Sequence, residues 1–139
     1  MSYSNSRLDD LANPKIVTPI NISGYSNEFL IGLLRKILLI RTVEYKIAEA
    51  KKNGEIVGPV HLGIGQEAVA VGLSSYLHPT DYVFGAHRSH SHLLALGSNI
   101  KKLFAEILGK ETGLSKGMGG SMHLLDRSVG FHGSVPIVA

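Results

Sequence analysis

The sequence predicts an α/β fold, in which helices pack around a sheet, and three observations lead to that prediction. Residues 26–52 repeat apolar side chains at helical spacing between a helix start signal and a helix stop signal. Residues 82–84 are aromatic or β-branched, as is typical of a short buried strand. A polar cluster at 87–92 follows that strand, and ligands of open α/β sheets bind beyond the carboxyl ends of the strands.

Composition narrows the class of protein. The 139 residues are enough for one domain or part of one, and 44% hydrophobic with 18% charged residues is typical of a globular core. The net charge is +3, the lysines are scattered along the sequence, and there is no tryptophan. We therefore expect no surface that binds nucleic acid. The sequence contains no cysteine, which fits a reducing cytoplasm. The longest apolar run, 37–40, is too short to span a membrane, and the polar N-terminus is neither a signal nor a transit peptide.

The chain divides into an arm and a domain. Residues 1–25 are rich in Ser, Asn and Pro without a period, which predicts an extended N-terminal arm, and 26–139 form the domain. Ser26 is a suitable N-cap for the long helix, and Asn53-Gly54 is a suitable stop. We interpret this segment as a core helix.

A glycine pair follows an extended segment at 55–62. Residues 63–68 read Gly-x-Gly-x-x-Ala and open a predicted helix at 66–76, which matches a dinucleotide-binding fingerprint. The acidic residue expected after the second strand is missing there, because the candidate, Asp81, lies in a turn before it. The alternative is a tight turn with Gly65 near the start of the helix, and both interpretations stay open.

The cluster after the strand contains His87, Arg88, His90 and His92. Gly85, just before it, permits close backbone approach. A metal site is one interpretation, but a fixed positive charge inside the cluster opposes a second cation, and no cysteine is present to help. The same arginine favours an anion such as phosphate, which its planar group grips with two hydrogen bonds. The third possibility is a set of hydrogen-bonded boundary residues without a ligand.

The last third of the chain alternates short helices with a glycine-rich loop. We predict a short helix at 93–96 closed by Gly97, a second helix at 100–108 capped by Ser98, and a loop region at 110–133.

Within that loop region, residues 116–123 have three glycines in four positions, without the Gly-Lys-Ser/Thr of a P-loop. This run could present N–H groups to an anion, act as a mobile lid, or be a flexible surface loop. His123 and His132 flank the glycines, which suggests the edge of a site.

Five motifs in order carry a resemblance to a known family. They are His-Leu-x-x-Gly-Gln-Glu-Ala at 61–68, Pro-Thr-Asp at 79–81, His-Arg-x-His at 87–90, Lys-Gly-x-Gly-Gly-Ser-Met-His at 116–123 and Ile-Val-Ala at 137–139. Together they resemble the α subunit of the thiamine-diphosphate-dependent 2-oxo acid dehydrogenase E1 component, of the pyruvate, branched-chain or acetoin type. The resemblance implies a thiamine-diphosphate-binding fold with a parallel sheet flanked by helices, incomplete in this chain.

The resemblance also implies roles for individual residues. Those near the reaction centre would be three histidines: His61, His90 and His123. Those that contact the cofactor would be His87, Arg88, Pro136 and Val138, the last two through backbone near the aminopyrimidine ring. His90 and His123 are expected in loops that order over the cofactor. No metal ligand is expected within the chain, because the family's Gly-Asp-Gly motif for Mg²⁺ is expected beyond Ala139.

The implied activity is oxidative decarboxylation of a 2-oxo acid such as pyruvate, or acetoin cleavage, with acyl transfer to a lipoyl group. The implied partners are an E1 β subunit in an α2β2 heterotetramer and the lipoyl domain of an acyltransferase core, in the cytoplasm. These 139 residues alone should be inactive. Two alternatives stay open: a dinucleotide-binding oxidoreductase fragment that uses 63–68, and a non-catalytic subunit-pairing module.

Overall fold

The structure is a computed structural model that describes residues 21–78 and 80–135. The elements in chain order are α1 (Asn27–Lys52), α2 (Glu67–Ser74), β1 (Val83–Gly85), α3 (His90–Ala95), α4 (Ile100–Ile107), a 3₁₀ turn (Arg127–Val129) and β2 (Phe131–Ser134). Most of the predicted arm, 1–20, lies outside the described residues. Among the described helices, none combines the length and apolar character that a membrane crossing needs.

The long helix α1 begins and ends where the sequence predicts. The Ser26 hydroxyl accepts a hydrogen bond from the Phe29 N–H at 3.2 Å, which satisfies one of the helix's unpaired donors. At the other end Asn53 is the C-cap, and Gly54 follows in the left-handed region at φ 78°. The predicted start and stop signals are therefore confirmed.

Only one face of α1 belongs to the core. Its buried apolar side chains are Ile40, Val43 and Ile47, which join the core residues of α2, α3 and α4 together with Leu124 and Phe131. A second apolar row points to solvent and is between 48% and 56% exposed: Ile31, Leu34, Leu38 and Tyr45. The prediction of a core helix is thus confirmed for one side of α1, while the other side is apolar and uncovered in the described structure.

The two strands form a parallel pair. Val83 pairs with Phe131 and Gly85 with Ser134, with an irregularity after Val83. Parallel neighbours need a crossover connection, and α3 and α4 lie in it. The structure is therefore α/β with helices and a small parallel sheet, as predicted at that level.

Two predictions about the strands are wrong. The first strand runs one residue later than 82–84 and is not buried, since Phe84 is 62% exposed. The second strand, β2, begins inside the segment 110–133 that we predicted as loop and ends one residue beyond it. Phe-His-Gly-Ser has no β-branched residue and no apolar alternation, so its extended form comes from pairing with β1 rather than from local preference.

The short helices also differ from prediction in detail. α3 begins at His90 rather than at residue 93, because the Leu93 N–H already donates to the Ser89 carbonyl. The N-cap of α4 is Asn99, whose side-chain oxygen accepts from the Lys102 N–H at 3.2 Å. The predicted cap, Ser98, instead donates its hydroxyl to Asp126 at 2.5 Å.

Candidate functional site

The carboxyl end of β1 is tightly packed around Gly85. A Cβ added there would overlap the Ser89 hydroxyl and lie 3.1 Å from Cζ of Phe131 on β2. The Ser89 hydroxyl donates to the Ala86 carbonyl and so closes the turn. The predicted close approach is confirmed, and it folds the histidine cluster directly against the end of the strand.

The three histidines of that cluster enter different surroundings. His87 lies beside His61 and His123, His90 lies in the interior, and His92 borders a surface groove. Within residues 21–78 and 80–135 no three His, Asp or Glu side chains come together in a way that could hold a metal ion. The geometry therefore gives the metal interpretation no support.

His87 is the centre of a group of three imidazoles. Its ring stacks on that of His61, with centroids 5.5 Å apart, and meets that of His123 edge-on at 5.7 Å. His87 is only 9% exposed, yet neither of its ring nitrogens has a hydrogen-bond partner among residues 21–78 and 80–135. Buried polar atoms are nearly always paired. These two nitrogens therefore mark a place where a polar group from outside the chain would fit.

A groove of about 380 Å³ borders the same turn. Its lining residues are Gln66, Phe84, Gly85, Ala86, Arg88, His92 and Val135. The Arg88 guanidinium donates to the Leu62 carbonyl, which ties it to the segment that carries His61. Burial lowers the pKa of His92 and so favours its neutral form. Arg88 brings a permanent positive charge to the groove. The groove suits an anion.

The predicted cofactor contacts Pro136 and Val138 lie outside the described residues. The residue before them, Val135, donates its N–H to the Gly85 carbonyl at 2.7 Å and lines the groove. The backbone therefore reaches the groove immediately before Pro136.

His90 is part of a fully internal network. Its Nδ1 lies 3.1 Å from Oε1 of Glu44, and its Nε2 lies 2.8 Å from the Ser121 hydroxyl. The expectation that His90 lies in a loop is wrong, since it is the first residue of α3 and is 0% exposed. The network joins α1, α3 and the glycine-rich segment, while a catalytic role for His90 remains a prediction.

The glycine loop, residues 116–123, surrounds a buried carboxylate that sequence reasoning missed. Oε2 of Glu106 accepts the N–H groups of Ser115 and Gly117 at 2.6 and 3.0 Å, and Oε1 accepts that of Gly119 at 2.7 Å. The loop does present amides to an anion, but the anion is a side chain of α4. The position of Glu106 between Leu103 and Ile107, on the apolar face of α4, is the signal that could have revealed it.

The turn before α2 is filled in a similar way. The Gly65 N–H donates to both carboxylate oxygens of Glu67, at 3.0 and 3.1 Å, with Gly65 at φ 96°. Arg41 donates to Oε2 of the same buried carboxylate at 2.7 Å, and this hydrogen bond lowers the pKa of Glu67 to about 2. The turn interpretation is confirmed. A dinucleotide phosphate would compete with a carboxylate already in place, and no strand precedes Gly63 among residues 21–62.

A family model and several similar proteins point to the same family for this chain. The family model described as "Dehydrogenase E1 component" matches residues 35–139. The α subunit of acetoin:2,6-dichlorophenolindophenol oxidoreductase from Bacillus subtilis is 43% identical over 113 residues, which are 81% of this chain and 34% of that protein. The pyruvate dehydrogenase E1 component α subunit of Rhizobium meliloti is 42% identical over 117 residues, which are 84% and 34% of the two chains.

The corresponding α subunit from Porphyra purpurea is 37% identical over 123 residues, or 88% of this chain and 36% of that protein. The present chain thus spans about a third of the length of the curated relatives it matches.

Proposed function

The chain belongs to the dehydrogenase E1 component family, and from that premise we propose that it forms part of the α subunit of a thiamine-diphosphate-dependent enzyme. The proposed reaction is oxidative decarboxylation of a 2-oxo acid such as pyruvate, or cleavage of acetoin, with transfer of the acyl group to a lipoyl group. Relatives named for pyruvate dehydrogenase and for acetoin oxidation support both substrates about equally, at 42% and 43% identity.

The observation that carries this proposal is the unpaired, buried imidazole of His87 next to Arg88 at the end of β1. A diphosphate presents several negatively charged oxygens. The Arg88 guanidinium and an imidazole N–H are complementary to them, and each charge-assisted hydrogen bond contributes roughly 1.5–3 kcal/mol. The residues present therefore fit the cofactor's diphosphate.

The side chains around His87 have distinct parts in the proposed mechanism. When bound, thiamine diphosphate would supply the electron sink for cleavage of the bond to the carbonyl carbon. His61 and His123, whose rings both contact that of His87, would hold or move a proton of the reacting groups. His90 has both ring nitrogens engaged inside the protein, so we propose that it supports the site without touching substrate.

Other groups would complete the site. Backbone at Pro136 and Val138 would contact the aminopyrimidine ring. Mg²⁺ would be held by oxygen ligands of a Gly-Asp-Gly motif, a sequence that does not occur within these 139 residues. We propose a β subunit in an α2β2 assembly and the lipoyl domain of an acyltransferase as partners, in the cytoplasm. The uncovered apolar row of α1 is compatible with burial in such an assembly.

The test is a calorimetric titration of thiamine diphosphate with Mg²⁺ into the protein as its gene encodes it, together with its β subunit. Arg88→Ala should weaken binding tenfold or more, on the order of 1.5–3 kcal/mol. Arg127→Ala is the matched control. It removes the same positive charge, but from an exposed residue on the 3₁₀ turn. If the Arg88 variant binds thiamine diphosphate as tightly as the wild type does, Arg88 does not contact the cofactor.

A parallel titration separates the alternatives. Binding of NAD without binding of thiamine diphosphate would favour the dinucleotide-binding oxidoreductase. Binding of neither ligand by a protein that still assembles with its partner would favour the non-catalytic pairing module.

A further inference from the structure

We infer that Glu106 is the positioning residue for His123: its buried carboxylate fixes the glycine loop and thereby holds the His123 imidazole against His87. The geometry stands on its own, and the catalytic meaning of His123 rests on the proposed function.

Among the described residues, every hydrogen bond to the Glu106 carboxylate comes from a backbone N–H group. Both oxygens are used, by the N–H groups of Ser115, Gly117 and Gly119, at distances of 2.6–3.0 Å. Glu106 is 0% exposed. A buried carboxylate is costly unless donors surround it, and in the part of the chain that the structure describes its donors are Ser115 and two glycines of the loop. The loop and the charge therefore depend on each other.

The glycines permit this wrapping. A Cβ at Gly113 would lie 2.5 Å from Oε2 of Glu106, and one at Gly117 would lie 2.7 Å from the backbone nitrogen of Lys110. A Cβ at Gly119 would overlap the His123 carbonyl oxygen and lie 3.2 Å from Oε1 of Glu106. At these three glycines the backbone packs against the carboxylate or against other backbone, with no room for a side chain.

The path from Glu106 to His123 is short. Gly119 donates to Glu106 through its N–H, and its carbonyl accepts the His123 N–H at 3.1 Å. Ser121, between them, is tied to His90 at 2.8 Å. The His123 side chain is exposed, with its edge against His87. Its position is therefore set by a backbone that Glu106 holds.

Glu106→Gln is the informative substitution. Glutamine keeps the size but has one acceptor oxygen, and its NH₂ group would face a backbone N–H. In the protein as encoded, with its partner subunit, we expect diethylpyrocarbonate to modify His123 at least about threefold faster, measured by mass spectrometry, because the imidazole leaves His87. Exposed His78 should keep its rate. Trypsin should cut faster after Lys116, whose bond to Gly117 is held by Glu106.

Enzyme kinetics distinguish a positioning role of Glu106 from a purely structural one. We expect kcat to fall by about tenfold, with KM and cofactor affinity within about twofold, since the displaced group is proposed to act in the chemical step. Glu111→Gln removes the same charge from an exposed site near the loop and should change none of these quantities.

The results that would overturn the inference differ from those that would support it. Wild-type His123 reactivity and wild-type cleavage in a folded Glu106→Gln protein would overturn the inference. Where that variant does not fold, Gly119→Ala, which pushes the loop from the His123 side, should raise both rates, and unchanged rates overturn the inference again. Hydrogen exchange of the wild type needs no variant: slow exchange of the 115–119 amides supports it, and fast exchange refutes it. The readouts of His123 reactivity, tryptic cleavage and hydrogen exchange do not involve thiamine diphosphate, so failure of cofactor binding would count against the proposed function alone.

Discussion

Gly85→Ala tests the packing at the end of β1. The added Cβ would overlap the Ser89 hydroxyl, and it would lie 2.9 Å from Cβ of Ser89 and 3.1 Å from Cζ of Phe131. Rotation of the Ser89 side chain would relieve the first overlap but not the second. The backbone between β1 and α3 must therefore shift by several tenths of an ångström.

The expected cost follows from two parts. Overpacking of a tight site costs about 1–3 kcal/mol. Loss of the hydrogen bond from the Ser89 hydroxyl to the Ala86 carbonyl adds about 1 kcal/mol. We therefore expect the free energy of unfolding to fall by about 2–4 kcal/mol. Because Gly85 also lines the groove with Arg88, thiamine diphosphate affinity should fall in the same variant.

The assay is urea denaturation followed by circular dichroism, with wild type and variant compared at equal protein concentration. Gly32→Ala is the control, because Gly32 lies inside α1 with nothing within 4 Å of an added Cβ. Alanine is the better helix former, so that variant should gain up to about 1 kcal/mol. A loss below about 0.5 kcal/mol for Gly85→Ala would refute the reasoning.

Two further substitutions test local electrostatics and capping. Arg41 lowers the pKa of Glu67 to about 2, so the charged pair stabilises the fold above the ordinary carboxyl pKa of about 4.5 and is lost as the pH falls towards 2. Arg41→Gln should therefore flatten the loss of stability between those pH values in denaturation series, and an unchanged slope would contradict the assignment. Asn99→Ala should lower the free energy of unfolding, measured in urea, by about 1 kcal/mol. A loss below about 0.3 kcal/mol would show that Asn99 is not the N-cap of α4 and would favour Ser98, the predicted cap.

The sequence predicted those elements whose signals are local. The bounds of α1 follow from Ser26 and from Asn53-Gly54, because caps act within one turn of the helix. The turn at Gly65 was predictable for the same reason, since a tight turn at a helix start needs the left-handed conformation that glycine adopts easily.

What failed depends on distant partners. β2 is extended because β1 lies beside it, and no pattern within residues 131–134 indicates this. The burial of Glu106 depends on a loop that returns about ten residues later, so the carboxylate looked like any charged side chain of a helix. Likewise, the spacing of His87, His90 and His92 suggested one shared site, whereas the start of α3 at His90 directs them apart.

Two glycine-containing turns, at 63–67 and 116–123, each bind a carboxylate that belongs to the chain itself, Glu67 in one and Glu106 in the other. Neither turn needs a mineral anion from the medium to keep its shape. The shape of these two turns should accordingly not depend on whether the buffer is phosphate, sulfate or chloride at matched ionic strength, unlike that of phosphate-binding loops that are ordered by what they bind.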